Sequence, residues 1–258
     1  MTAAFQDVID HREFVKELVH HSLRARYRGS FLGFLWTLLT PLLFFISFTF
    51  VFSFINRADM RTFGIYFFSG YVPWAFFVAA ASQATISVLS YAHLITRIRT
   101  PKMVYPAVVV IANCIDFLAG LFLIFVLMYL LGTPFTAALA ILPLSFLLLL
   151  VFVAGMSYAF AAINVFMRDF SFIWNSINII WFFCTPILYP IDRIPPHVRP
   201  YFELNPILPF IRMFQEPVCN GVLPSADTVL LAGTYAALAF VFGTSLYLKS
   251  QKSFYRYI

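Results

Sequence analysis

Long stretches free of full charges alternate along this chain with short charged clusters, and that alternation predicts its elements. No Asp, Glu, Lys or Arg occurs from Gly29 to Asn56, nor from residue 62 to 96. Beyond Lys102 the next such residues are Asp116 and then Arg168. A further 22 uncharged residues separate the Arg168-Asp169 pair from Asp192. About 20 apolar residues in a helix cross a hydrocarbon core of about 30 Å. The pattern therefore predicts six spans, near residues 31–55, 65–90, 105–131, 143–165, 170–189 and 228–248. Gly132-Thr133-Pro134 supplies the turn between the third and fourth.

Two segments follow other patterns. Over residues 10–28, Phe14, Val15, Leu18, Val19 and Leu23 share one helical face, while His11, Arg12, Lys16, His20 and Arg24 lie opposite. This reads as an amphipathic helix on the membrane surface, in contact with membrane lipids. Residues 190–227 mix eight prolines with Phe202, Ile207, Leu208, Phe210 and Phe214. They are too apolar for a free loop and too interrupted for a span, which predicts short re-entrant helices at the outer face.

Within the spans, two faces are unusual. Ser171, Trp174, Asn178, Trp181 and Thr185 fall on one side of the fifth, and Phe34, Pro41, Phe45, Phe48 and Phe52 on one side of the first. Polar and aromatic groups sharing a stripe inside a membrane point to a lined path or to a polar helix contact, and periodicity alone leaves both open.

Composition strengthens the membrane reading. The chain is 62% hydrophobic and 11% charged, with 33 phenylalanines in 258 residues. No soluble domain can hide that much apolar surface, and continuous apolar runs favour helices over a barrel. The expected fold class is thus an all-α polytopic membrane protein forming a single domain over residues 1–258. Lys and Arg set its orientation. Arg12, Lys16, Arg24, Arg26, Arg28, Arg97, Arg99, Lys102, Arg168, Lys249, Lys252 and Arg256 would lie inside, twelve in all. Arg57, Arg61, Arg193, Arg199 and Arg212 would lie outside, five in all. The excess places both termini in the cytoplasm and explains the net charge of +6 without nucleic acid. The first 30 residues have no cleavable-signal pattern, so the first span is expected to direct insertion.

Missing chemistry excludes several functions. None of the four lysines follows a glycine, so there is no phosphate-binding P-loop, and any ATP must be hydrolysed by another chain. The seven aspartates never occur two apart, and no histidine lies within a span. Three scattered cysteines indicate neither a disulfide framework nor a thiolate metal site, and no metal is expected. Asp116 is the one Asp, Glu, Lys or Arg deep in a span; it reads as a helix-packing group bonded to Asn113 or to another helix, with a place in the path as the alternative.

Four segments in order, RARYRGSFLGFLWTLLTPLL, FFSGYVPWAFF, HLITRIRTPKMVYPAVVV and NVFMRDFSFIWNSINIIWFFCTPILYPIDRIPP, resemble the membrane subunit of ABC-2 type polysaccharide exporters, the O-antigen and teichoic acid permeases. The resemblance runs from about Arg24 through the last span. It implies a permease, not an enzyme, that dimerises and pairs with two copies of an ATPase carrying ATP and Mg, while this chain binds no cofactor itself. Two copies would form a channel for a lipid-linked glycan in the bacterial cytoplasmic membrane. Phe34, Phe45, Phe48, Phe52, Trp174, Asn178, Trp181 and Thr185 are then expected along the substrate path, where rings stack on sugar faces without demanding one sequence of sugars. Arg24, Arg26 and Arg28 are placed to meet a lipid pyrophosphate at its entrance. Arg97, Arg99, Lys102, Arg168 and Asp169 are expected to couple to the ATPase. Tyr189, Asp192, Arg193, Pro195 and Pro196 belong to the expected outer gate, in residues 190–223. Rival readings are an ABC-2 permease for teichoic acid, capsule or small lipids and drugs, and a membrane acyl- or glycosyltransferase built on Asp192, His197 and Glu203.

Overall fold

The computed structural model describes residues 8, 10–27, 29–56, 59–97 and 100–257, apart from the side chains of residues 27, 34 and 53–56. Arg28 and Arg99 fall outside the described residues, as does the side chain of Phe34. Every regular element among the described residues is helical. In chain order these are α1 (Arg12–Tyr27), α2 (Trp36–Asn56), α3 (Met60–Ser90), α4 (Ala92–Arg97), α5 (Val104–Leu131), α6 (Leu142–Phe166), α7 (Phe170–Phe183), α8 (Arg199–Glu203), α9 (Leu208–Gln215) and α10 (Ala226–Ser250). Short 3-10 or π turns join several of them, and a 3-10 segment, Gln251–Arg256, follows α10.

Local chemistry accounts for the boundaries. Asp59 caps α3 by accepting the Thr62 amide at 3.2 Å, and Ser225 caps α10 by accepting the Thr228 amide at 3.2 Å. α5 stops at Gly132, whose φ of 75° suits a residue without a Cβ, at the turn expected there. α7 stops at Phe183, short of residue 189, because Pro186 brings no amide donor and its ring disfavours a helical turn before it.

Among the described residues, four helices are long and apolar enough to cross a membrane: Met60–Ser90, Val104–Leu131, Ala137–Phe166 and Ala226–Arg256. The shorter apolar helices are Trp36–Phe52 and Phe170–Phe183, where the first and fifth spans were expected.

α3 occupies the middle, packing on α2, α5, α6, α7 and α9. Its Phe67, Phe68, Phe77, Ala80 and Ala84 are fully or almost fully buried. α6 and α10 make the closest helix pair: a Cβ on Gly243 would collide with the carbonyl of Gly155, and one on Gly155 with the backbone of Ala239. Small residues at such a crossing let backbones approach, the usual basis of helix association in lipid. A second apolar cluster closes the other end of the bundle, joining Val15 and Leu18 of α1, Ile95 of α4, Val104 and Val108 of α5, Val165 of α6, and Tyr247 and Phe254 at the end of the chain. The apolar face of α1 is thus partly covered by the bundle itself, and α1 and the segment after α10 share this cluster with Met103, just before α5.

Candidate transport wall and coupling face

The stripe on α7 turns toward the bundle. Trp174 is 3% exposed, and its indole N–H donates to Ser82 Oγ at 2.8 Å. Phe160, Phe77 and Trp181 surround its ring at centroid distances of 4.7, 5.6 and 6.0 Å. Trp181 donates its indole N–H to Asn205 Oδ1 at 2.8 Å. Asn205 in turn donates to the buried Thr185 hydroxyl at 2.9 Å, and that hydroxyl donates to the Trp181 carbonyl at 2.8 Å. Asn178 donates to the Trp174 carbonyl at 3.2 Å. Each indole buries a large apolar body and satisfies its one donor. Trp181 also borders a cleft of about 330 Å³ with Tyr201, Phe202 and Asn205.

The α2 stripe behaves alike. Phe45, Phe48 and Phe52 are half-buried and stack on α3: Phe48 lies 5.0 Å from Phe67, Phe52 6.1 Å from Phe63, and Phe45 meets Phe68 edge-on at 5.5 Å. Phe48 also meets Phe182 of α7 at 6.4 Å, so α2 and α7 touch through rings. The opposite faces of these two helices are exposed and apolar, with Leu43, Ile46 and Val51 on α2 and Phe172, Ile179, Ile180 and Phe183 on α7. Each of the two helices thus presents an apolar wall away from the bundle.

Arg24 and Arg26, both expected at the entrance, are placed differently from one another. Arg24 is exposed, whereas Arg26 forms an ion pair with Asp116, and its other terminal nitrogen donates to Gln83 Oε1 at 3.0 Å. Thr37 of α2 donates to the same carboxylate at 3.4 Å, and Gln83 exchanges hydrogen bonds with Asn113. Asp116 therefore links α1, α2 and α5 on the floor of a cleft of about 300 Å³ lined by Trp36, Tyr71, Phe76 and Phe117. Pairing offsets the cost of placing either charge among apolar helices.

At the basic end, Arg97, Arg168 and Asp169 are exposed, while Lys102 is half-buried. Lys102 Nζ donates to the Gln251 carbonyl at 2.6 Å and lies 3.7 Å from the Tyr255 ring centroid; burial lowers its pKa. Arg168 donates to the Tyr257 carbonyl at 3.3 Å.

At the far end, the broken corner after α7 hangs on Tyr66 of α3. Its hydroxyl lies 3.1 Å from both the Pro186 and the Tyr189 carbonyl, neither of which has a helical donor. Tyr189 donates to the Phe183 carbonyl at 2.6 Å. Asp192 and Arg193 line a cleft of about 490 Å³ with Arg212 and Glu216, and Pro195 and Pro196 are exposed beside it. Asp192 faces Arg199 and Glu203 faces Arg212, each pair at 3.6 Å, so these carboxylates converge on arginines and not on one another.

Several of these partners escaped sequence reasoning. Ser82 and Gln83 stand out as the polar end of a span. Asn205 sits in a proline-rich stretch without periodicity, and Tyr66 among many aromatic residues, so neither carries a local signal.

Among the described residues, an all-helical bundle with four helices long and apolar enough to cross a membrane defines a polytopic membrane protein. The family profile of ABC-2 type transporters matches residues 13–217, and the chain belongs to that family. It is 30% identical over 256 residues to the O-antigen export system permease protein RfbA of Myxococcus xanthus, covering 98% of each chain. It is 29% identical to the protein of the same name from Klebsiella pneumoniae, over 92% of each chain. Similarity to the polysialic acid transport protein KpsM of Escherichia coli is 21% over 247 residues.

Proposed function

We propose that this chain is the permease of an ATP-driven exporter and that two copies form the channel for a lipid-linked polysaccharide of O-antigen type. All six apolar helices cross the membrane, with both termini and the basic end in the cytoplasm. α2 and α7 each cross together with the segments that adjoin them. The observation that carries this reading is the exposed apolar wall of α2 and α7. Lipid or a second copy must cover it, and its edges are rimmed by ring-bearing residues suited to sugar faces. The names of full-length relatives support the glycan cargo.

A separate ATPase subunit, present in two copies with ATP and Mg, docks on the face that carries Arg97, Arg168 and Asp169. ATP binding draws the two ATPase subunits together, and the wall helices of facing protomers part. The glycan then slides past rings at Trp181, Phe48 and Phe52. Trp174 and Thr185 hold α7 in shape behind the wall. Arg24 and Arg28 meet the lipid pyrophosphate as it enters beside α1, with Arg26 held ready by Asp116. The corner from Tyr189 to Pro196 closes the outer side.

The test is a strain lacking this chain. Glycan accumulating inside the cell, with surface glycan restored by the intact gene, supports the reading. Unchanged surface glycan combined with drug sensitivity would replace the cargo with a small hydrophobic molecule.

A further inference from the structure

Lys102 differs from the other cations at the basic end. Arg97, Arg168, Lys249, Lys252 and Arg256 are exposed there, whereas Lys102 is gripped from two sides. Its ammonium donates to the Gln251 carbonyl at 2.6 Å and sits over the Tyr255 ring at 3.7 Å, with the Phe254 ring centroid 5.8 Å away. Its own carbonyl accepts the Tyr247 hydroxyl at 2.7 Å. Tyr247 and Phe254 are both fully buried, so the grip is anchored in the bundle and not in a surface loop.

The same C-terminal segment reaches the α6–α7 connection. Arg168 donates to the Tyr257 carbonyl at 3.3 Å, and the Tyr257 ring meets Phe166 edge-on at 4.9 Å. Residues 251–257 therefore touch both connections whose charges mark them for a partner. α10, which leads into the segment, is locked to α6 at Gly155 and Gly243. An ammonium suits this place because it can donate to a carbonyl while its charge rests on a ring face. A neutral side chain of the same length offers neither interaction.

We propose that Lys102 is a positioning residue: through the C-terminal segment it makes the α4–α5 and α6–α7 connections move as one body with the α6–α10 pair. A push on the α4–α5 connection then arrives at the start of α7, beside the wall. Without the tie that connection yields by itself and α7 stays in place. The inference rests on the exporter reading for its consequence, but the tie itself is a contact that can be tested without transport.

The experiment uses the full-length chain co-expressed with its ATPase, comparing wild type, Lys102→Met and Lys102→Arg. Three quantities are read: chymotryptic cleavage of the C-terminal segment in the solubilised complex, ATP hydrolysis, and glycan exported. Lys102→Met is expected to accumulate and to co-purify with the ATPase. Its segment should be cut about fivefold faster or more, as befits loss of a half-buried cation–π contact and a charged hydrogen bond. ATP hydrolysis should continue while glycan exported per ATP falls by a similar factor. Lys102→Arg should restore both, since a guanidinium keeps the charge, the donors and the ring contact. Should Lys102→Met fail to accumulate, Tyr255→Leu removes the ring from the other side with the same expectation.

Cleavage unchanged in Lys102→Met, a released segment with normal export per ATP, or a Lys102→Arg variant behaving like Lys102→Met would each overturn the proposal. A wild-type complex that exports no glycan would sink the exporter reading, while the cleavage comparison would still decide the tie.

Discussion

Two helix pairs in this bundle are joined in opposite ways. α6 and α10 meet backbone to backbone at Gly155 and Gly243, where no side chain fits between them. α2 and α7 meet through rings, Phe48 against Phe182 at 6.4 Å, and turn bare apolar faces outward. A backbone contact has one good arrangement, and any shift opens a void or a collision. Stacked and edge-on rings tolerate sliding, each pair contributing about 0.5–1.5 kcal/mol over a range of geometries. The first pair has the character of a frame, and the second that of a wall able to part from its neighbour.

That contrast can be broken most severely at the frame. Gly243→Leu should prevent α10 from closing on α6 and cost about 3 kcal/mol or more, since backbone cannot yield as a side chain can. Thermal unfolding in detergent would show it as a large fall in Tm or as loss of folded protein. A variant that melts like wild type would mean that the crossing is not tight.

The next largest effect falls on the support of the wall. Asp116 carries Arg26 and Thr37, and so ties α2 to α1 and α5. Replacing either charge of the pair alone leaves the other stranded among apolar helices, at a cost of about 3 kcal/mol. The double substitution Arg26→Leu with Asp116→Leu should recover much of that loss. A double variant no better than the singles would show that the charges act independently.

Smaller still is the anchoring of α7. Trp174→Phe removes the hydrogen bond to Ser82 but keeps the ring, so about 1 kcal/mol should be lost, with α7 held more loosely. A Tm equal to that of wild type would show that the indole N–H finds no net benefit there.

The smallest effect concerns pH. Burial pushes the Glu216 carboxyl up from its ordinary range, with Arg212 opposing. A folded pKa above the unfolded one stabilises the fold below the unfolded value, and that gain is lost as pH rises through the folded pKa. Glu216→Gln should therefore flatten the stability profile slightly across and just above the usual carboxylate range. The effect is modest because water still reaches the group.

How much of this was legible depended on whether the cause was local. Pro186 ends α7 by its own geometry, Gly132 ends α5 by its own freedom, and the uncharged runs marked the long helices. The polar stripe on α7 was equally visible, but its hydrogen-bond partners Ser82 and Asn205 are joined to Trp174 and Trp181 by no spacing in the sequence. Asp116 was visible as a charge within a span that would bond to another helix, yet nothing local pointed to Arg26, 90 residues away, as that partner. Lys102 counted as one positive charge among twelve, because its tie to Gln251 spans 149 residues. Charge counting places such a residue on a side of the membrane and is blind to what it holds.

Contact between the exposed faces of α2 and α7 and a second copy of the chain can be tested directly. With Cys114, Cys184 and Cys219 replaced by alanine, single cysteines at Ile46, Ile180 and Phe242 can be cross-linked oxidatively in native membranes. All three positions are more than half exposed in the protomer. Dimers should form through Ile46→Cys on α2 and Ile180→Cys on α7, and not through Phe242→Cys on α10. Dimers through Phe242→Cys with none through the other two would place the interface on the frame and contradict the account.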